Sequence, residues 1–127
     1  MRQEAKGDMK KKLCFIIEGV NLYLDQTLVD YNGIPIFFLC KGNGQYYIVL
    51  CTDIEDLDYI VAKVSVKDVY DLVHGKIPMR DVVLKRPEYW DIAIGEEICV
   101  DKVVRRNINT LDPNLLPEKG TCFNRIH

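Results

Sequence analysis

Four acids, Asp53, Glu55, Asp56 and Asp58, fall within one six-residue stretch, the densest group of chemically capable side chains in the sequence. Clustered carboxylates can do two things besides taking up water. They can ligate a hard divalent cation, which takes roughly six to eight oxygens, or they can present negative charge to a cationic partner surface. The stretch lacks the glycine and the alternating ligand order of an EF-hand loop, so no metal ligand is assigned. The functional reading is partner contact, and the bland one is a solvated loop.

Basic side chains are sparser. Arg105-Arg106 and Lys10-Lys11-Lys12 are the dense spots, with Lys85-Arg86 a smaller one. A platform for single-stranded nucleic acid needs exposed aromatics along a continuous basic groove. Tyr46 and Tyr47 are adjacent, so on a strand at most one faces solvent. The formal net charge of −2 supplies no global basic field. Arg105 and Arg106 are therefore kept as partner-contact candidates, and nucleic acid is a possible but not a favoured ligand.

The thiols are Cys14, Cys40, Cys51, Cys99 and Cys122, odd in number, widely spaced and without a CxxC pair. Three sit in apolar runs, where a thiol packs as a small hydrophobe. That usage fits reduced cysteines of a cytoplasmic protein. Structural zinc needs convergent ligands with close pairs, and neither His74 nor His127 has a cysteine at that spacing. As a nucleophile Cys51 is the best placed, at a strand end, but its acidic neighbours raise a thiol pKa. His74 falls at the end of a helical segment, where it complements the helix dipole. No catalytic residue and no cofactor are assigned, and a cysteine-dependent enzyme is the weakest functional alternative. Lys41-Gly42-Asn43-Gly44 joins two strands, whereas a phosphate loop feeds a helix, so it reads as a hairpin turn.

The elements that must position these groups follow from period and turn chemistry. Residues 22–31 alternate as a strand, with Leu22, Leu24 and Leu28 on one face and Tyr23, Thr27, Val29 and Tyr31 on the other. Asn32-Gly33 suits a two-residue type I′ turn, and residues 34–40 return as a second strand with Pro35 beside the turn. Residues 45–51 form a third strand and 57–64 a fourth, on either side of the acidic loop. Strands two and three are apolar at nearly every position, so both faces should be covered. Ser65 and Asp68 have capping-box spacing, opening a short helix whose stripe is Val66, Val69, Tyr70 and Val73. Gly75 is placed to end it. Pro78 begins a second short helix at 79–84, and Pro87 closes the region. Residues 89–94 and 98–104 read as further strands, separated at Gly95-Glu96-Glu97. The turn-rich segment from Asn107 predicts an extended tail anchored by Leu115 and Leu116.

These elements amount to one α+β domain over 13–127, an antiparallel meander of five to six strands with two short helices on one face. Residues 1–12 read as a flexible, mildly basic lead-in. The five-residue apolar run 13–17 is too short for a signal-peptide core, and no stretch approaches the roughly 20 apolar residues of a membrane-spanning helix. At 48% apolar and 28% charged, the chain has the composition of an ordinary globular domain.

The hairpin at Asn32-Gly33, the aromatic strand 45–50 and the segment SVKDVYDLVHGKIPMRD at 65–81 together resemble a small, functionally uncharacterised domain family of bacteria and their prophages. The resemblance spans roughly 22–123 and departs at Pro78-Met79 and in the N-terminal extension. It implies no catalytic residue. It does imply residence on mobile elements, while the non-catalytic role follows from the failure of each catalytic constellation above to assemble. The expected role is an inhibitor or accessory factor that binds a protein or ribonucleoprotein, for example a host defence complex such as an RNA-guided nuclease. Under that reading Asp53, Glu55, Asp56 and Asp58 face a cationic groove, with Arg105 and Arg106 as further partner contacts. A nucleic-acid-binding accessory protein is the alternative from another class.

Overall fold

The computed structural model of the protein describes residues 12–94 and 101–123. Seven strands form one antiparallel sheet in chain order: β1 (Leu13–Ile17), β2 (Val20–Tyr31), β3 (Ile34–Gly42), β4 (Gln45–Asp53), β5 (Asp58–Val64), β6 (Glu88–Ile94) and β7 (Asp101–Asn107). Helices α1 (Val66–Val73) and α2 (Met79–Leu84) lie between β5 and β6. The α+β meander is as expected, but it has seven strands rather than five to six. The added strand is β1, the run that resembles a signal peptide's apolar region. It turns into β2 at Glu18-Gly19, with φ of 49° and 85°, the same left-handed pair that makes the turns at Asn32-Gly33 (51°, 84°) and Asn43-Gly44 (55°, 78°). Glutamate is a poor left-handed residue, so nothing local marks a turn at Glu18.

The sheet is curled into a half-barrel. In a flat sheet β1 and β5 would be four strand spacings apart, roughly 19 Å. Instead the rings of Phe15 on β1 and Tyr59 on β5 meet edge to face with centroids 5.1 Å apart. The concave face is filled by the strands themselves, with Phe15, Ile17, Leu22, Phe38, Val49, Val61 and Ile92 all buried. The convex face carries Leu39, Ile48, Ile60 and Ala62, covered by Leu72 of α1, Val82 and Val83 of α2, and Leu111 and Leu116 beyond β7. Each fully buried aliphatic side chain contributes roughly 1.5–3 kcal/mol. The apolar runs of β3 and β4 are thus explained, since both of their faces are covered.

Irregular register produces the curl and changes a face assignment. The β2–β3 pairing slips between Leu24 and Gln26 and again on both sides of Val29. An extra residue in one strand bends it and reverses the inside–outside alternation beyond it. Leu22 and Leu24 accordingly pack on the concave side, while Leu28 packs on the convex side with Val29. The expected common face for Leu22, Leu24 and Leu28 is therefore incorrect. The described part of β7 runs from Asp101 to Asn107, past the expected end at 104, and residues 95–100, which hold the expected start and the separator, lie outside the described residues.

The helices form where the local signals place them. Ser65 Oγ accepts the Asp68 amide at 3.0 Å while the Ser65 amide donates to Asp68 Oδ2 at 3.0 Å, completing the capping box. Gly75 at φ +71° ends α1. The buried stripe differs from expectation: Leu72 is 0% and Asp68 2% exposed, whereas Val66 is 70% and Tyr70 50% exposed. The apolar-only stripe is wrong because an acid faces inward, held by Lys85 Nζ at 2.6 Å and Arg86 Nη1 at 3.5 Å. The tail is pinned by Arg80, which donates to the carbonyls of Pro117 (2.9 Å) and Pro113 (2.8 Å). It is not simply extended, since Ile108–Thr110 and Pro113–Leu115 are 3₁₀ turns. Leu116 anchors it together with Leu111, while Leu115 is 46% exposed. Among the described residues no helix is long and apolar enough to cross a membrane.

Candidate functional site

The acidic stretch is the tight turn from β4 to β5. Asp53 Oδ1 accepts the amides of Glu55 (3.0 Å) and Asp56 (3.1 Å), and Thr52 Oγ1 donates to the Asp58 carbonyl at 3.3 Å. Asp53 pairs with Asp58 across the strands, so the carboxylates of Asp53, Asp56 and Asp58 all lie within 4.8 Å of one another. Glu55 lies on the same turn but outside this triad. The sheet adds an acid that sequence spacing could not show: Ile60 pairs with Asp91 on β6, which brings Asp91 beside Asp58. Burial, then Asp53, Asp56 and Asp91, push the Asp58 carboxyl above its ordinary range. Among the described residues no Lys, Arg or His forms an ion pair with Asp53, Asp56 or Asp58, whereas Asp68, Asp71, Asp91, Glu18 and Glu88 are each ion-paired.

Mutual repulsion at the triad has a signed consequence. A carboxyl whose folded pKa is raised destabilises the fold while ionised. That penalty is full above the folded pKa and vanishes below the unfolded value of about 3.9. Asp58→Asn is therefore expected to raise the unfolding free energy at neutral pH by roughly a few tenths of a kcal/mol, read as a higher urea midpoint. The gain should disappear on acidification, as a urea series across pH would read.

Arg105 and Arg106 do not form one patch. As neighbours on β7 they point to opposite faces. Arg105 Nε donates to Glu18 Oε2 at 3.0 Å, its Nη2 bonds Glu18 Oε1, Glu88 lies 3.6 Å away, and the guanidinium sits 5.6 Å from the Trp90 ring centre. Arg106 Nε donates to Asp91 Oδ2 at 3.1 Å, at the border of the acidic turn. Trp90 Nε1 also donates to Glu18 Oε2, at 3.0 Å. One carboxylate in the β1–β2 turn thus ties the first hairpin to β6 and β7 and holds the half-barrel's two ends together. Trp90 is the only tryptophan, so its emission reports on this clasp. Glu18→Ala is expected to red-shift that emission and raise its acrylamide quenching, and Glu18→Gln, which keeps an acceptor for the indole, to do so less. Tyr47 is buried and Tyr46 is half-buried, with Lys41 Nζ 5.2 Å from the Tyr46 ring centre.

The thiols rank differently from the expectation. Burial pushes the Cys51 thiol up, with Asp53 and Asp58 adding to the effect. Cys14 is pulled down, because the neighbouring Cys40 thiol outweighs burial, with further help from Lys12 and the Leu24 amide, and its Sγ donates to the Lys12 carbonyl at 3.8 Å. Cys40, fully buried, is correspondingly pushed up. Cys14 and Cys40 sit on β1 and β3, on either side of Leu24 of β2, a neighbourhood that exists only once β1 is recognised as a strand. Cys99 lies outside the described residues. His74 Nδ1 donates to the Tyr70 carbonyl at 2.8 Å and its ring stacks on Tyr70, so it closes the last turn of α1.

No protein-family model, curated protein or solved structure matches the chain. The resemblance of residues 22–123 to a prophage-borne family therefore stands on residue pattern alone.

Proposed function

We propose that this chain is a non-catalytic binding protein whose β4–β5 turn docks on a cationic surface of another protein or ribonucleoprotein. The observation that carries the reading is the Asp53–Asp56–Asp58 triad, held within 4.8 Å by the turn itself and bordered by Asp91. A fold that keeps like charges this close sacrifices stability locally, and such a sacrifice is typical of a surface selected for something other than folding. Acidic surfaces of this kind speed encounter with cationic partners and set register more than they add affinity. The finer reading is inhibition of a host defence complex such as an RNA-guided nuclease. It draws on the family resemblance and on this acidic surface, which would occupy a groove built for a polyanion.

The test compares the full chain with the variant Asp53→Asn, Glu55→Gln, Asp56→Asn, Asp58→Asn as baits in a native-host extract. Bound proteins are eluted by a salt gradient and identified by mass spectrometry. The expected result is a partner that elutes at moderate salt, is displaced by heparin and is missing from the variant, whose circular dichroism is unchanged. Equal retention of that partner by the folded variant would overturn the acidic-turn mechanism. Neutralising Arg105 and Arg106 instead is expected to loosen the clasp while leaving capture intact. Loss of capture there would move the interface to β7.

A further inference from the structure

The concave face of the half-barrel is apolar along most of its length, but beside the β1–β2 and β3–β4 turns it opens into a polar mouth of about 390 Å³. That size lies within the roughly 300–1,000 Å³ of small-molecule sites, which favour the mouths of β-barrels. The lining includes the rings of Tyr47 and Trp90, with centroids 6.0 Å apart, and four charged side chains, Glu18, Lys63, Glu88 and Arg105. At this mouth the β5–β6 ladder stops, its last pair being Val61 and Trp90. Two residues further on, Lys63 and Glu88 are the next opposed positions on the concave side. No ion pair joins them, and among the described residues Lys63 pairs with no acid. Glu88 instead lies 3.6 Å from Arg105, which Glu18 already holds. One guanidinium shared by two carboxylates leaves a surplus negative charge beside β6, and Lys63 leaves an unpaired positive charge on β5.

We propose that this mouth binds a free α-amino acid with an aromatic side chain, its carboxylate on Lys63 and its ammonium on Glu88. A zwitterion is the ligand class that satisfies both charges at once. An anion alone would meet the surplus negative charge of the Glu18–Arg105–Glu88 group, and a cation alone would meet Lys63. The ammonium and carboxylate of an α-amino acid sit on one carbon, which suits a gap between adjacent strands about 4.8 Å apart. Tyr47 pairs with Lys63 from β4. Burial, then Glu18, push its phenol up, so at neutral pH it is a donor for the same carboxylate. The Tyr47 and Trp90 rings supply the apolar floor on which a flat side chain packs. The site is independent of the acidic turn, which lies at the opposite end of β4 and β5.

The experiment follows the indole N–H resonance of Trp90, the only tryptophan, in the isotope-labelled full chain at neutral pH. L-phenylalanine is expected to shift it saturably. Phenethylamine, which lacks the carboxylate, and phenylpropionate, which lacks the ammonium, should each bind roughly tenfold more weakly, the ratio one charge-assisted hydrogen bond supplies. Glycine, with both charges and no ring, should also bind more weakly. Lys63→Gln should lower L-phenylalanine to the level of phenethylamine and leave phenethylamine itself unchanged, while Lys63→Arg should keep L-phenylalanine bound. Lys63 is exposed, so both variants are expected to fold. No saturable shift with L-phenylalanine would mean that water alone bridges Lys63 and Glu88, and the proposal would fall. Equal affinity for all four compounds, or an L-phenylalanine affinity unchanged in Lys63→Gln, would overturn it as well. The comparison of compounds uses the unmutated protein and so does not depend on a variant folding.

Discussion

Asp68→Ala is expected to lower the stability of the fold by about 3 kcal/mol, roughly 10 °C in melting temperature. Three supports fail together. The helix loses the return arm of its capping box, because the Ser65 amide no longer has the Asp68 carboxylate to donate to. Lys85 and Arg86 lose the anion that joins the end of α2 to the start of α1. Arg86 already has a buried Nε without a partner, so its guanidinium would be left still less satisfied. Asp68 is 2% exposed, and water therefore cannot replace what is lost. Asp68→Asn keeps the shape but not the charge, and should fall between the alanine variant and the wild type.

The pH dependence separates charge from shape. Burial raises the Asp68 carboxyl, but Lys85 and the two Ser65 hydrogen bonds together outweigh it and hold the group below its ordinary range. A carboxyl whose folded pKa is depressed contributes stability that is fully present above the unfolded value of about 3.9. The contribution is lost as pH falls through the folded pKa. The gap in urea midpoint between wild type and Asp68→Asn should therefore be constant from neutrality down to about pH 5 and narrow below about pH 4. A gap that does not narrow would show that the cost is steric. Asp58 has the opposite sign, so the two variants diagnose opposite ends of β5 in one titration.

Gly42→Ala is expected to cost about 3 kcal/mol, against about 1 kcal/mol for Gly44→Ala two residues on. The sequence points the other way, because Gly44 is the turn glycine. Gly44 has φ +78° but open space where a Cβ would go. Gly42 sits in β3 with ordinary φ, and a Cβ there would press on the Asn21 backbone carbonyl and lie 2.7 Å from Leu22 Cδ2. A backbone oxygen held in the β1–β2–β3 pairing cannot retreat without bending the curled edge of the sheet. Urea denaturation of both variants gives the order directly, and a larger loss at Gly44 would mean that the close approach of β2 to Gly42 is relaxed in solution.

The contrast between these glycines shows what a residue pattern can carry. The turn at Asn43-Gly44 was legible because its cause is local: two left-handed residues and the side chains that tolerate them. The close packing of Gly42 was not, because its cause is a carbonyl 21 residues away. The acidic turn was legible as a run of acids, but the membership of its cluster was not. Asp91 joins it through β5–β6 register, while Glu55, in the middle of the run, lies outside the triad. Arg105 and Arg106 read as one basic spot in the sequence and are divided between two faces by the two-residue period of a strand. Cys51 was the best-placed thiol by its strand end, and its acidic sequence neighbours already pointed to the raised pKa that burial adds to. The partner that tunes Cys14 is a cysteine two strands away.

The sequence by itself determined the meander, its Asn-Gly turns, the capping box of α1, its stop at Gly75 and the span of α2. Each rests on φ/ψ preference or on hydrogen bonds within a few residues, so each is written where it acts. The tertiary structure alone decided that 13–17 is a strand, that the sheet curls until Phe15 meets Tyr59, that an aspartate faces the core from α1, and that the chain's carboxylates and thiols gather as they do. Bulges in β2 and contacts between distant strands set these features. Their energy comes from pairing and burial across long loops, which leave no period in the sequence for a reader to find.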